Sequence, residues 1–401
     1  MDPIRNPFSP GAGTPPPELV GREVLLEQMR VAFARAKRGA PTKSIIAVGL
    51  RGVGKTVLLN RCQELAEAEG HVPIFIEARE QRAIANLLAP EIRKVILTLD
   101  RIGAVEENVK RGLRAFRSWI GTIKLSYGDA EMSLDIDPEP GIADSGIVES
   151  DLPDLFVALG RAAASRNRPI CFVIDELQYL TERDLGALIM ALHRTTQLSL
   201  PVVMVAAGLP LIVGLSGQAK SYAERLFDFP NVGALAPDDA LRAIERPLAR
   251  ADTRITPGAL KDIVEATQGY PYFLQEWAYH AWNAADDQVI TTADVAVAQE
   301  KALLRLDQGF FRVRFDRLTP LEKDYLRAMA EGGGSTQRSG DIARLLGRAT
   351  TDVGPRREAL IRKGMIWSPA HGDTAFTVPL FDSFIKRAMP DWAPLPPKSK
   401  A

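Results

Sequence analysis

At 401 residues, with 46% apolar side chains and a quarter of its residues charged, the polypeptide has room for roughly two to three domains with real cores. Fifty Lys and Arg balance fifty Asp and Glu, so no global basic field draws the molecule to nucleic acid, and any such contact has to come from a local patch. No apolar run reaches the ~18 residues of a membrane-spanning helix and the first residues carry no signal-like apolar stretch, which excludes a helical membrane protein and leads us to expect a cytoplasmic one.

The chain opens with MDPIRNPFSPGAGTPPP, six prolines in seventeen residues, too few apolar groups to bury. Residues 1–17 are therefore expected to be a flexible arm. Leu19-Val20-Gly21-Arg22-Glu23 then leads into a helical pattern over residues 24–36, with Leu25, Leu26, Met29 and Phe33 on one face. Residues 44–48 (SIIAV) read as a short buried strand, and residues 56–69 place Leu58, Leu59, Cys62 and Leu65 at helical spacing. Between strand and helix stands Gly49-Leu50-Arg51-Gly52-Val53-Gly54-Lys55-Thr56, of the form GxxxxGK(S/T), a phosphate cradle in the context it needs.

Each residue type in that loop answers a chemical need. Gly49 and Gly54 let the backbone turn sharply and bring N–H groups close to phosphate, where the positive end of the helix dipole adds to the attraction. Gly52, Val53 and Val57 complete the expected cradle. Lys55 supplies a mobile charge for the β- and γ-phosphates, in binding and in catalysis, and the Thr56 hydroxyl is placed to ligate Mg2+. ATP and Mg2+ are the expected cofactors.

Residues 72–76 (VPIFI) form a second buried strand, after which the chain departs from a compact plan. An insertion of about residues 79–150 carries helical patterns at 82–99 and 105–119 and a hairpin, 122–127 with 131–136, turned by Gly128-Asp129. Residues 135–151 are acidic and rich in Gly and Pro; they lack the calcium-loop pattern and read as a mobile loop. The next strand, Ile170-Cys171-Phe172-Val173-Ile174, ends in Asp175-Glu176 at the edge where parallel sheets carry their chemistry. Downstream of a phosphate loop this pair reads as Asp175 for the metal and Glu176 to orient and deprotonate the attacking water. Cys62 and Cys171 fall in core elements and are expected to be inert thiols without a disulfide.

A helix over residues 185–192 and a strand over 202–206 follow, then Ser221-Tyr222-Ala223-Glu224-Arg225 before a short strand near Val232. Residues 238–249, 257–267, 270–284 and 292–306 are helical, with Gly269-Tyr270-Pro271 opening the third; Pro271 is also ordinary first-turn chemistry. From Thr319 come three helices, 319–329, 339–346 and 350–363, then two strands around Ile366-Trp367 and Phe376-Thr377-Val378 turned at His371-Gly372-Asp373. Three helices and a hairpin describe a winged helix-turn-helix. Its third helix region holds Arg348, Arg356, Arg357, Arg362 and Lys363 against Asp352 and Glu358, a local positive excess suited to DNA phosphates.

Taken together, the LVGRE box, phosphate loop, DELQYL stretch, GYP element and C-terminal unit resemble AAA+ ATPases of the initiator, origin-recognition type and the related STAND ATPases, over residues 18–389. The resemblance implies an α/β, parallel-sheet P-loop NTPase core (18–235), a helical lid and connector (236–318) and a winged-helix domain (319–389); residues 390–401 are expected to be a flexible tail. It implies adenine contacts from Val20, Gly21 and Arg22, although Leu25 stands where the STAND box ends in Glu. It makes Pro271 a nucleotide contact and Arg225 a catalytic arginine reaching a neighbouring subunit's ATP. The polar sensor usual after the fourth strand is missing from Ala206-Ala207-Gly208; either Gln178 or another group takes its role, or turnover is slow. The expected function is an ATP-dependent, slowly hydrolysing switch that forms homo-oligomers with ATP and contacts duplex DNA. A signalling switch whose winged helix binds a protein partner, and an ATP-assembled scaffold, stay open as alternatives.

Overall fold

The computed structural model describes residues 1–11, 13–101, 106–123 and 136–396. It divides into two compact units: an α/β unit of Arg22–Gly49 and Lys55–Val232, and a mainly helical unit of Met1–Gly21, Leu50–Gly54 and Gly233–Ala401.

The α/β unit is built on a five-stranded, all-parallel sheet in the order β2-β3-β4-β1-β5. β1 (Ser44–Val48), β3 (Ile170–Asp175) and β4 (Val202–Gly208) are buried at every position, which is why they read as unbroken apolar runs instead of alternating ones. β2 (Val72–Glu77) pairs with β3 along its whole length, from Val72 opposite Ile170 to Glu77 opposite Asp175. The fifth strand, expected near Val232, is Phe227–Asp228; Val232 instead donates its N–H to Val48 O at 2.7 Å, prolonging the same edge.

Helices α1 (Glu23–Lys37) and α2 (Lys55–Ala68) accompany β1, and α6 (Glu182–Gln197), capped by the Thr181 hydroxyl, follows β3. The stretch read as an insertion shares the main core. α3 (Ile84–Asp100), α4 (Glu107–Thr122) and α5 (Val148–Ser165) bury Leu88, Ile92, Phe116, Trp119, Leu155 and Leu159 in one cluster with the sheet's Ile74, Phe172 and Ile174. Phe156 of α5 stacks on Phe172 of β3 with ring centres 4.4 Å apart. The expected hairpin of residues 122–127 and 131–136 lies mostly outside the described residues. The acidic stretch after it is tied down: Asp151 accepts hydrogen bonds from Ser145 N, Ser145 Oγ and Gly146 N.

In the helical unit, α9 (Pro237–Arg250), α10 (Pro257–Thr267) and α11 (Pro271–Ala284) each start with proline at the first turn, where a missing N–H costs nothing. α12 (Thr292–Arg305) packs on α11, after α7 (Leu211–Ala219) and α8 (Ala223–Leu226) have closed the α/β unit. The proline-rich start is not a loose arm. Phe8 is 1% exposed, Asn6 donates to Tyr279 O, and Trp282 Nε1 donates to Asp2 O at 2.9 Å. Glu18 accepts from Arg246 and Arg250 of α9, and these guanidinium groups hold its carboxyl below the usual range. One buried aromatic and a few long-range polar contacts supply what composition alone lacked.

After the short strands β6 (Arg254–Ile255) and β7 (Val289–Ile290) and helix α13 (Arg312–Asp316), the C-terminal part runs α14 (Pro320–Glu331), β8 (Gln337–Arg338), α15 (Ser339–Leu345), α16 (Thr350–Arg362), β9 (Ile366–Trp367), β10 (Asp373–Phe376) and α17 (Phe381–Ala388). A capping box between Thr319 and Glu322 starts α14. The expected two-stranded wing is a three-stranded antiparallel sheet, β8-β10-β9. β8 is two polar residues long and offers no periodicity to read. Of the tail expected to be flexible, residues 392–395 are held by Trp392 Nε1 and Leu395 N, which donate to the buried Asp324 carboxylate.

Because α5 meets the sheet through the Phe156–Phe172 stack, Phe156→Ala should remove about 3–5 kcal/mol from the α/β unit. Urea unfolding followed by circular dichroism checks this; a transition displaced by less than about 1 kcal/mol would place the unit's stability elsewhere.

Candidate nucleotide site

β1, β3 and β4 run parallel, so their carboxyl ends arrive at one edge, and three loops rise from it. The first is the phosphate loop. Gly49 N–H donates to Gly208 O at 3.0 Å, tying its start to the end of β4. Gly52 and Gly54 then adopt φ of +80° and +90°, left-handed values that a side chain would strain, and a Cβ on Gly54 would project into open space. A backbone that turns this way, with open space beside Gly54, fits a phosphate. α2 starts at Lys55, which is 6% exposed, with Val53 buried before it.

The second loop leaves β3. Asp175 is 3% exposed, and burial pushes its carboxyl up, while the hydrogen bond from Thr56 and the charge of Lys55 pull it down. Thr56 Oγ1 donates to Asp175 Oδ2 at 2.6 Å, so the two groups expected to hold the metal are in direct contact. Asp175 Oδ1 accepts from the N–H of Glu176 at 2.8 Å. Glu176 itself sits at φ 54°, ψ 39°, a left-handed conformation rare for a residue with a side chain and concentrated at functional sites. Its carboxylate accepts a hydrogen bond from Gln178 Nε2.

The third loop leaves β4, where Ala206 and Ala207 are fully buried and offer no side-chain polar group. Gln178 Oε1 reaches this strand end instead, accepting from Leu209 N–H at 3.0 Å.

Within the helical unit, the segment Leu50–Gly54 is held by the GYP element. The Tyr270 hydroxyl donates to Arg51 O, and Tyr272 N–H donates to Gly52 O at 3.3 Å, while Pro271 opens α11 between them. The same Tyr270 hydroxyl lies 3.5 Å from Thr377 O in the C-terminal hairpin. Gly269, at φ +67°, leaves no room for a Cβ, which would stand 2.6 Å from Leu235 O. Gly21, at φ +71° after the buried Val20, is crowded by Asp239 of α9; Arg22 follows as the residue capping α1. The field around this segment is positive: Arg314 lies 3.8 Å over the Phe310 ring, and burial, then Arg51, push its guanidinium down to about 10. Sequence reading took Tyr270 only as a spacer between Gly269 and Pro271; its use as a hydrogen-bond donor depends on contacts far apart in the chain.

Val57 continues α2. Arg225 is exposed in the four-residue helix α8 and, among the described residues, makes no ion pair with Glu224. The basic residues assigned to DNA are less free than charge counting implied. Arg348 donates to Leu395 O and Pro396 O of the tail, both at 2.9 Å. Arg357 donates to Thr374 Oγ1, Ser368 Oγ and Asp373 O and so braces the hairpin. Lys363 pairs with Glu322 at 2.8 Å, and Arg362 with Glu358 at 3.3 Å. Burial and the neighbouring Arg348 lower the Arg356 guanidinium. Among the described residues no helix is long and apolar enough to cross a membrane.

Residues 18–205 match the AAA ATPase domain family, and residues 308–385 match a domain of unknown function. A comparison with curated proteins returns no match. Among solved structures, the Walker-type ATPase PABY2304 of Pyrococcus abyssi shares the fold, with a TM-score of 0.60 at 15% identity over 93% of this chain and 98% of that one. Cdc6p from Pyrobaculum aerophilum (TM-score 0.47, 15% identity, 98% of each chain) and Orc1 of Aeropyrum pernix, solved in complex with DNA (0.46, 15%, 93% and 94%), are more remote likenesses. The domain match, the parallel sheet and the loops at its edge lead to one conclusion: residues 18–205 form an AAA ATPase domain, and the chain is a P-loop ATPase.

Proposed function

We propose that this ATPase is a slowly turning switch whose nucleotide state controls assembly and the availability of its C-terminal unit. The observation that carries the reading is the Thr56–Asp175 hydrogen bond beside Glu176, a hydroxyl and a carboxylate already together at the sheet edge. These two would hold Mg2+, which when bound neutralises phosphate charge. Lys55 binds and orients the β- and γ-phosphates beside the N–H groups of Gly49, Gly52, Val53 and Gly54. Glu176 accepts the proton of the attacking water as the water oxygen bonds to the γ-phosphorus and the bond to the β–γ bridging oxygen breaks, releasing ADP and phosphate. Slow turnover is supported by the apolar Ala206-Ala207 end of β4, which offers no polar group to the γ-phosphate. The contacts that resemblance assigns to Val20, Gly21, Arg22, Val57 and Pro271 belong to the same proposal.

Lys55→Ala leaves the phosphate charge uncompensated and should weaken ATP binding at least a hundredfold; Glu176→Gln should bind ATP normally and lose turnover at least a hundredfold. A labelled ATP analogue and a phosphate-release assay check the two. Parental affinity in the first variant, or parental turnover in the second, would remove the corresponding assignment.

For assembly, we propose that the exposed Arg225 stabilises developing charge on the ATP of a neighbouring copy. Arg225→Ala should bind ATP as the parent does, yet lose ATP-dependent association and most turnover, measured by light scattering with ATP and ADP. Normal assembly and hydrolysis would return Arg225 to the ordinary surface.

The C-terminal helices and three-stranded hairpin are proposed to act as a winged helix toward duplex DNA, with Arg348, Arg356 and Arg362 as contacts. The docked tail favours a second reading, a unit closed to DNA that serves a protein partner. Ending the chain after residue 389 uncovers Arg348 and should tighten binding to duplex DNA several-fold at low salt, with a steeper salt dependence. Fluorescence anisotropy over a salt series checks it; no DNA binding by either form would favour the protein-docking reading.

A further inference from the structure

One buried amide in the α/β unit has no part in the chemistry so far. Gln178 lies in the single turn Leu177–Tyr179 that follows β3 and is 9% exposed. Its two ends are committed to different strands. Oε1 accepts from the backbone N–H of Leu209, just beyond β4, at 3.0 Å, and Nε2 donates to Glu176 Oε2. The orientation of the amide follows from this pairing, because only the oxygen can accept from an N–H, which leaves the NH2 group facing the carboxylate.

The surroundings are shaped to admit it. A Cβ on Gly208 would stand 3.0 Å from Gln178 Oε1, so a side chain there would press on the amide. Ala206 and Ala207 present no competing donor to Glu176. The carboxylate meanwhile hangs from a left-handed backbone, on a short turn that does not by itself fix where the side chain points. The clamp from Leu209 through Gln178 supplies that direction.

We propose that Gln178 is the positioning residue of the ATPase: it holds the Glu176 carboxylate toward the end of β4, where the attacking water is deprotonated. The proposal rests on the reading of Glu176 as general base. Its consequence is that loss of the amide donor lowers kcat and leaves ATP binding alone, since Gln178 acts on the base and not on the phosphates.

Two substitutions separate this role from packing. Gln178→Glu keeps an acceptor for Leu209 N–H but loses the donor to Glu176 and faces it with a like charge; Gln178→Ala loses both contacts. With the full-length protein, Mg2+ and ATP, both should lower kcat about 10- to 100-fold, with KM for ATP within about twofold of the parent. In a Glu176→Gln background, single-turnover hydrolysis of labelled ATP should fall by less than about twofold when Gln178→Ala is added, because the residue acts through the base. A kcat for Gln178→Glu equal to or above the parent's overturns the proposal, as does a full, independent loss in the double variant. Parental turnover in Glu176→Gln alone would instead overturn the general-base reading on which it rests.

Discussion

Parallel pairing of β3 with β4, and of β4 with β1, is the constraint from which the chemistry of the α/β unit follows. It brings three carboxyl ends to one edge, and it obliges the strands to be apolar throughout, since helices cover both faces. Apart from Ser44 at the start of β1 and the Cys171 thiol in β3, polar side chains are therefore left to the residues at which these strands stop. β3 stops at Asp175 and Glu176, β1 at the glycine-rich loop that leads to Lys55 and Thr56, and β4 at two alanines and a glycine. The Thr56–Asp175 hydrogen bond records how closely the first two endings approach.

A buried Asp175 is costly, and its carboxyl is accordingly raised by desolvation, with Thr56, the Glu176 N–H and Lys55 offsetting part of that cost. Such a site holds a carboxylate ready for a cation that compensates it more fully. The third ending is where this chain differs from the plan its sequence resembles: the strand supplies no polar side chain, and an amide from the neighbouring turn reaches across to Leu209 and back to Glu176.

How far the sequence could be read depended on whether a contact was local. The phosphate loop and the Asp175-Glu176 pair were legible because short-range rules fix them: glycines where φ is positive, a lysine at the first turn of a helix, carboxylates after an apolar run. The sheet strands were legible for the same reason. What stayed hidden was made by residues far apart. Asn6 anchors the proline-rich start on α11 and Phe8 is buried beside it in sequence, Trp392 bonds to Asp324, and Tyr270 reaches the carbonyl of Arg51. The arginines near α16 show the limit most clearly, because counting charges gave a basic patch, whereas Arg348 and Arg357 are bonded to carbonyl and hydroxyl oxygens of the tail and hairpin. The three-stranded hairpin was underread by one strand because β8 is only two polar residues long.

We propose that the hydroxyl, carboxylate and lysine at this edge form a magnesium-dependent ATPase centre. Phosphate release from ATP by the purified full-length chain, measured with Mg2+ and again with excess chelator, tests it most directly. Slow, saturable turnover that falls to background when Mg2+ is removed is the expected result. Turnover that persists at the same rate in chelator, or that is absent under both conditions while the protein binds ATP, would contradict it.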